Sequence, residues 1–455
     1  MILTPAEMQM AEQAVFAQGQ VGPEDLMEKA GLGIAHALRE RWPHPGKAIA
    51  YLGKGHNAGD ALVVGRHLRH WGWHVTLRDA VSSETASPLT RKKRAEFLAT
   101  PETPSDHLRG PHVLIDGLLG NGARGPLRHG YQKLAREMNV QRTTEGAYVV
   151  AIDLPSGLDG ESGIASEDAV RADLTLTIAY AKTGLLADQA TAHVGTLALI
   201  QLPEIPPPRN GLGDATAQVL TAELLSLWHQ RRPVDHYKNR AGHVCLFAGS
   251  LGYVGAAAMA AEAALTAGVG LVSLHVSEAI YPILATRCAP EIMVHPLPEE
   301  TLSSEMLASL KGDIFAIGPG LGATPSSAYL DWLQIESRPI VIDADALNMI
   351  ARAPTALSPI ACAGPRLLTP HPGEFARLFP TEQGAEPTRR ARAERVVQTY
   401  PLTLLYKGAR SIIAHRDTST RYNLTGNPGM ATGGMGDVLT GVCAGLAAHF
   451  RKPPA

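Results

Sequence analysis

Short apolar runs and amphipathic stretches alternate along this chain in two long blocks. The first block opens with helical patterns over Ala6–Ala17 and Glu24–Arg41. In the second of these, Leu26, Met27, Ala30, Ile34 and Leu38 recur near a 3.6-residue period. Thr4, Pro5 and Glu7 supply an N-cap, a first-turn proline and a capping box for the first helix. Strand-like runs follow at Ala48–Leu52, His74–Leu77, Val113–Asp116, Tyr148–Asp153, Leu174–Ala179 and Leu197–Gln201. Helical segments at Leu62–His70 and Leu127–Met138 lie between the earlier ones. Strands that alternate with helices predict βαβ crossovers and a mostly parallel sheet covered on both faces.

The pattern breaks at Leu202-Pro203-Glu204-Ile205-Pro206-Pro207-Pro208-Arg209-Asn210-Gly211, where consecutive prolines followed by Asn-Gly can continue neither element type. We expect domains over residues 1–205 and 221–455 with a linker over 206–220. After a run-in over Thr221–Asn239, the second block is predicted to place strands at His243–Ala248, Leu271–His275, Ile314–Ile317, Ile340–Asp343, Leu367–Thr369 and Leu402–Tyr406. An Ala-rich helix covers Ala256–Ala267, and another starts near Gly436. The halves share no fixed-period repeat, so the expectation is two different α/β folds in tandem.

Composition agrees with that division. At 455 residues, 45% hydrophobic and 18% charged, the chain is a globular protein too long for one ordinary core. Aromatics are scarce at 5%, whereas 45 glycines supply loops in which backbone can approach a ligand. The formal charge of −2 offers no basic field for nucleic acid or an anionic membrane, so a phosphate-bearing ligand needs local backbone amides. Cys245, Cys288, Cys362 and Cys443 form no CxxC or zinc spacing and read as buried free thiols in a reducing compartment. The N-terminus lacks a basic and apolar leader, and no apolar run approaches the roughly 18 residues of a membrane span. A cytoplasmic location is therefore expected.

Three polar loops leave strand ends in the first half. Gly53-Lys54-Gly55-His56-Asn57-Ala58-Gly59-Asp60 joins a strand to a helix, where backbone N–H groups and the helix dipole favour an anion. Ile115-Asp116-Gly117-Leu118-Leu119-Gly120-Asn121-Gly122-Ala123-Arg124-Gly125-Pro126 and Ile152-Asp153-Leu154-Pro155-Ser156-Gly157-Leu158-Asp159 repeat the arrangement, and the three should converge on one site. With Leu26–Gly31 and Thr175–Gly184, these segments resemble the epimerase half of bifunctional NAD(P)H-hydrate repair enzymes, across nearly all of residues 1–205. The resemblance implies that His56, Asn57, Ala58, Gly59 and Asp60, with Gly120, Asn121, Gly122, Ala123, Arg124, Gly125 and Pro126, hold the hydrated nicotinamide nucleotide. It further implies that Asp153 touches the reacting ring and that Asn57, Asp116 and Ser156 ligate potassium. Epimerisation needs an acid–base group beside the hydrated carbon, and Asp153 and Asp116 are the candidates, with Lys182 a third. Where the family reads Asn-Asn-Gly-Gly-Asp-Gly this chain has His56-Asn57-Ala58-Gly59-Asp60-Ala61. Two added methyls therefore stand where close backbone approach is expected to matter.

The second half carries Asn427-Pro428-Gly429-Met430-Ala431-Thr432-Gly433-Gly434-Met435-Gly436-Asp437. A Gly-rich turn opening a helix can form an anion hole for a phosphoryl group, and Asp437 at its start can take a proton from a substrate hydroxyl. The string resembles the ribokinase-like superfamily and, more closely, the dehydratase half of the same repair enzymes. His236–His243, Ala248–Ser250, Gly255–Ala257, Ile317–Gly322, Asp343–Asn348, Thr369–Glu374 and Lys407–Ala409 extend the match. The resemblance implies a Rossmann-like three-layer domain followed by a ribokinase-like α/β domain. It implies that Ala256, Gly320, His371 and Asp437 hold hydrated NADH or NADPH, and that Lys407, Gly408, Ala409, Arg410, Ser411 and Gly436 hold the adenine nucleotide. ADP or ATP would be the phosphoryl donor, with magnesium, and Asp437 the base. Relatives also form homo-oligomers, and they run on past the helix after Asp437, whereas this sequence stops at Ala455. Read without the resemblance, the residues also permit a small-molecule kinase or a non-catalytic nucleotide-binding protein.

Overall fold

The computed structural model describes residues 1–455 except 20, 103, 105–107, 124, 208–216, 227–230, 381–387 and 451–455. The chain forms two compact units, Met1–Val219 and Leu220–Ala455. Most of the expected 206–220 linker, and Arg124 among the candidate site residues, lie outside the described residues.

In the first unit the predicted strands form one six-stranded sheet in which every neighbouring pair is parallel. Its order is His74–Asp79, Lys47–Leu52, His112–Gly117, Tyr148–Ile152, Leu174–Ile178, Thr196–Ile200. Chain order reverses between Lys47–Leu52 and His112–Gly117, which creates a crevice at the strands' carboxyl ends. Near-continuous burial of Val149–Ile152 and Val113–Gly117 is what a sheet covered on both faces requires. Helix Pro23–Arg41 buries Leu26, Met27, Ala30, Ile34 and Leu38, the stripe its spacing predicts. Each large apolar side chain so buried contributes about 1.5–3 kcal/mol. The helix after the Gly-rich turn starts at His56, not Leu62, so the turn's Asn57–Asp60 already belong to it. The Thr4–Glu7 capping box is formed, with Glu7 N donating to Thr4 Oγ1 at 3.2 Å and Thr4 N to the Glu7 carboxylate at 2.7 Å.

The second unit's sheet runs Ile292–Leu297, Leu271–Ser277, His243–Phe247, Ile314–Ile317, Ile340–Ile342, Arg366–Leu368, Thr403–Tyr406, then a hairpin of Ser411–His415 and Thr418–Asn423. The first seven are parallel and the hairpin is antiparallel. Chain order reverses again, between His243–Phe247 and Ile314–Ile317. Helices Val254–Thr266 and Met435–Phe450 bury small faces, including Ala257, Ala260, Ala261, Ala264, Ala444 and Ala448, in one core. The thiols depart from expectation. All four are free, but only Cys245 is buried, and Cys362 is exposed on helix Leu357–Ala363. No described helix is long and apolar enough to cross a membrane.

Candidate functional site

At the first unit's switch point, Gly55 enters helix His56–His70 in extended conformation with no side-chain cap. The helix's opening N–H groups therefore face outward with the positive end of its dipole. They border a cavity of about 1050 Å³ whose wall includes His56, Asn57, Asp60, Gly120, Asn121, Gly122, Ala123, Gly125, Pro126, Asp153 and Lys182. The three polar loops thus meet. Ala58 and Gly59, expected to contact substrate, do not line the cavity. The Ala58 and Ala61 methyls are fully buried in the hydrophobic core, so neither added carbon fills the ligand space. Helical periodicity explains this: the turn is already helix, and the third and sixth positions of that helix, Ala58 and Ala61, face the core.

Asp153 follows strand Tyr148–Ile152 in a left-handed backbone conformation, φ +63°, that a non-glycine residue adopts only when its surroundings enforce it. One of its carboxylate oxygens accepts from Lys182 Nζ, from Ile178 N at 3.0 Å and from Thr177 Oγ1 at 3.3 Å. Lys182 is fully buried and also donates to the Ile178 carbonyl at 2.9 Å. The sequence ranked this lysine last among the acid–base candidates, yet it is the ion-pair partner of the first.

Asp116 is different. It is fully buried and outside the cavity wall, so its expected contact with the reacting carbon is not met. Its carboxylate accepts from Ser156 N and Ser156 Oγ, each at 2.7 Å, and from Leu118 N at 3.2 Å. Burial pushes its carboxyl up to about 6 against the lowering effect of Ser156. Ser156 Oγ also accepts from Leu119 N at 2.9 Å, and Asn57 Nδ2 donates to the Leu119 carbonyl at 2.9 Å. The three residues assigned to potassium therefore gather around the Leu118–Leu119 turn.

In the second unit, Gly434 at φ +89° turns the chain into helix Met435–Phe450, where Asp437 sits in the first turn. Beside it, fully buried Asp343 accepts from Lys407 Nζ at 2.8 Å on one oxygen and from Thr440 Oγ1 at 2.7 Å on the other. Burial, then the charges of Asp343 and Asp345 set against Lys407, raise the Asp437 carboxyl above its ordinary value. Gly320, at φ +61°, comes so near Ala256 that a side chain there would stand 3.0 Å from the Ala256 methyl, which brings these two predicted residues together. Gly436 lies near Lys407 and Asp343 in the same way, at 3.7 and 3.8 Å.

His371 proves to be a helix cap. Its Nδ1 accepts from Gly373 N at 3.0 Å and Glu374 N at 3.3 Å, while Glu374 returns a bond to His371 N at 2.9 Å. The ring remains exposed, and its Nε2 stands 3.4 Å from a Glu374 carboxylate oxygen. The Lys407–Ser411 segment is braced by Arg389, which donates to the Lys407 carbonyl at 3.1 Å and the Arg410 carbonyl at 2.8 Å. Arg410 itself is buried, whereas Gly408 and Ala409 are exposed and Ser411 is half-buried. Arg389 has no sequence signal, because it sits far along the chain in the polar helix Arg389–Thr399.

Fold and sites define a two-domain α/β protein in which each site combines a helix N-terminus with a buried aspartate paired to a lysine and a further carboxyl group. Residues 244–454 match the NAD(P)H-hydrate dehydratase family, and residues 23–184 match the YjeF-related protein N-terminus family. The chain is 33% identical to the bifunctional NAD(P)H-hydrate repair enzyme Nnr of Moorella thermoacetica, covering 99% of this chain and 89% of that protein. It is also 33% identical to the bifunctional NAD(P)H-hydrate repair enzyme of Leishmania braziliensis, covering 98% of this chain and 85% of that one. Among solved structures, it is similar to an ADP/ATP-dependent NAD(P)H-hydrate dehydratase from Bacillus subtilis co-crystallised with ATP and magnesium. The identity is 27%, the cover 51% of this chain and 84% of that one, and the TM-score 0.42. This chain belongs to the family of bifunctional NAD(P)H-hydrate repair enzymes.

Proposed function

We propose that the two units carry out the two halves of one repair, with residues 1–205 as the epimerase domain and 221–455 as the dehydratase domain. The first interconverts the R and S forms of hydrated NADH and NADPH. The second dehydrates the S form to the working cofactor at the expense of ADP or ATP. The observation that carries this reading is Asp437 in a Gly-rich turn beside the Asp343–Lys407 ion pair, whose charges act on it. In that arrangement Asp437 takes the proton of the ring hydroxyl as the hydroxyl oxygen attacks the nucleotide's terminal phosphorus. The N–H groups of Gly433–Gly436 receive the transferring phosphoryl group. Loss of phosphate, with loss of a proton from the adjacent carbon, then restores the ring double bond. Lys407–Ser411 and Gly436 face the adenine nucleotide, and Ala256, Gly320 and the exposed ring of His371 face the dinucleotide.

In the epimerase unit, Asn57, Asp116 and Ser156 would hold potassium. The fit rests on the donor set: an amide, a hydroxyl and a buried carboxylate that has only neutral partners. Such an ion would supply positive charge beside the substrate phosphates. Magnesium needs few protein ligands when it travels with nucleotide phosphates, and Asp345 is the neighbouring carboxylate for it. The reading includes a cytoplasmic location and a homo-oligomer.

The test mixes the full chain with hydrated NADH, potassium, magnesium and either ADP or ATP, and follows reduced-nicotinamide absorbance. Full recovery from mixed epimers is the expected result, and the nucleotide that works identifies the donor. Recovery that stops at the S portion refutes the epimerase assignment, and no recovery with either nucleotide refutes both.

A further inference from the structure

We propose that Glu12, on the N-terminal helix, is the catalytic acid of epimerisation and works with Asp153 as the base; this inference rests on the epimerase reading above.

Helix Pro5–Ala17 buries Pro5, Met8, Ala11 and Val15. Glu12 stands four residues after Met8 and three before Val15, so it occupies the inward face where an apolar residue would be expected. It lines the same cavity as Asp60, Asp153 and Lys182. Among the described residues, Glu12 has no hydrogen-bond or ion-pair partner. The Asp60 carboxyl, 8% exposed, also has none and opens into the cavity. Asp60 is buried and Glu12 half-buried, and polar groups withdrawn from water without a partner cost stability, so a purely structural role accounts for neither. Both are explained if the cavity holds a ligand that supplies their partners.

The charges assign the roles. Three carboxyl groups share one buried ammonium, Lys182, and Asp153 holds it. Burial, with the negative charge of Asp153 against the positive charge of Lys182, pushes Glu12 up to about 7. Asp60 is raised well above its ordinary value by burial and by Asp153 and Glu12. The other charged groups on the wall are Lys54, His56, Arg128 and Asp159. Near neutrality Glu12 can therefore give a proton, while Asp153, which accepts three hydrogen bonds on one oxygen, has the other oxygen to receive one. A proton-bearing carboxyl group and a hydrogen-bonded carboxylate on one cavity wall form an acid–base pair.

Water added across an enamine double bond leaves the hydroxyl on the carbon next to the ring nitrogen. Glu12 gives its proton to that oxygen, the carbon–oxygen bond breaks with its electron pair on the departing water, and the nitrogen lone pair forms a carbon–nitrogen double bond. Water then adds to the opposite face and loses a proton to Asp153, while the double-bond pair returns to nitrogen. Asp153 passes the proton back to Glu12 through solvent, so no atom or charge is gained overall.

The experiment uses the full chain with separated R- and S-hydrates and measures R-to-S conversion. Dehydration of S-hydrate in the same sample is the internal reference. Glu12→Gln should slow conversion about 100-fold or more, down to the uncatalysed rate. Wild-type conversion should fall as pH rises through about 7, and the remaining E12Q conversion should lack that limb. In ¹⁸O-labelled water each enzymatic turnover should place solvent oxygen in the S-hydrate. E12Q conversion within threefold of wild type, a retained pH limb, or unlabelled S-hydrate overturns the proposal. If E12Q loses the thermal transition of the first unit, Glu12→Asp carries the test, and an unchanged pH limb in that variant overturns it. Wild-type protein that does not speed conversion refutes the epimerase reading itself, which is a different outcome from all of these.

Discussion

Replacing Lys182 by methionine tests the charge arrangement of the first site most directly. Methionine keeps an unbranched apolar stem of similar reach but removes the ammonium. Lys182 is fully buried, and the Asp153 side chain it pairs with is only 11% exposed. Without Lys182, Asp153 keeps its bonds from Ile178 N and Thr177 Oγ1 but loses the opposite charge. Removing one partner of a buried ion pair costs about 3–5 kcal/mol, because the remaining charge stays out of water. At roughly 2–4 °C per kcal/mol for a unit of this size, the melting transition of the first unit should fall by about 6–20 °C. The second unit's transition should not move. Asp153→Asn in the K182M background removes both charges, so the double variant should recover part of the loss, with a coupling of roughly 2 kcal/mol or more. Differential scanning calorimetry of the four proteins of the cycle measures all of this. A K182M deficit under about 1 kcal/mol with no coupling would refute the claim that this pair organises the site.

Asp437→Asn should reduce dehydration of S-hydrate by about 100-fold or more while leaving both melting transitions in place. Because the base must be deprotonated, dehydration should rise with pH through a value above the ordinary aspartate range, and Asp345→Asn should move that rise to lower pH by removing a neighbouring negative charge. Arg389→Met releases two carbonyls of the Lys407–Ser411 segment, so the KM for the adenine nucleotide should increase with the KM for S-hydrate unchanged; a reversed pattern in steady-state kinetics would refute the nucleotide assignment. His371→Ala should cost about 0.5–2 kcal/mol through loss of the cap, and His371→Asn, which can cap, should restore stability in chemical denaturation. Ser156→Ala should weaken potassium stimulation of R-to-S conversion in a potassium titration, and an unaltered titration would count against the ion site.

The alternation of strands and helices was readable because buried parallel strands are continuous apolar runs. Ile314–Ile317 was located without error, and most others to within one or two residues. The features missed have physical reasons. Strand Ile292–Leu297 lies at a sheet edge and contains His295 and Pro296, and the hairpin strand Thr418–Asn423 is almost wholly polar. Helix Pro88–Ala99 has no apolar stripe: Phe97 is buried beside Thr90 and Lys93, and Lys93 is held by Glu24, Glu28 and Glu96. At the sites, loops that leave strand ends were legible from their glycines and aspartates. Glu12 and Arg389 were not, and Lys182 stood only third among the acid–base candidates, since a charged residue in a helical or strand pattern reads as solvated surface until the fold shows what encloses it.

The two crevices reach the same electrostatic arrangement by different folds. In each, a buried aspartate is tied to a lysine, Asp153 to Lys182 and Asp343 to Lys407. In each, a second carboxyl group nearby, Glu12 or Asp437, is raised by burial and by the negative charge of the paired aspartate. The lysine thus holds one carboxylate in place, and the negative charge of that carboxylate helps to raise the other group. The pairs differ in where the fixed aspartate stands. Asp153 lines its cavity and can meet the ring, whereas Asp343 is sealed behind Thr440 and acts on Asp437 through its field. Epimerisation requires a proton donor and a proton acceptor at one carbon, and the first crevice presents two such carboxyl groups. Phosphoryl transfer requires one base and an anion hole, and the second presents half-buried Asp437 beside a glycine turn.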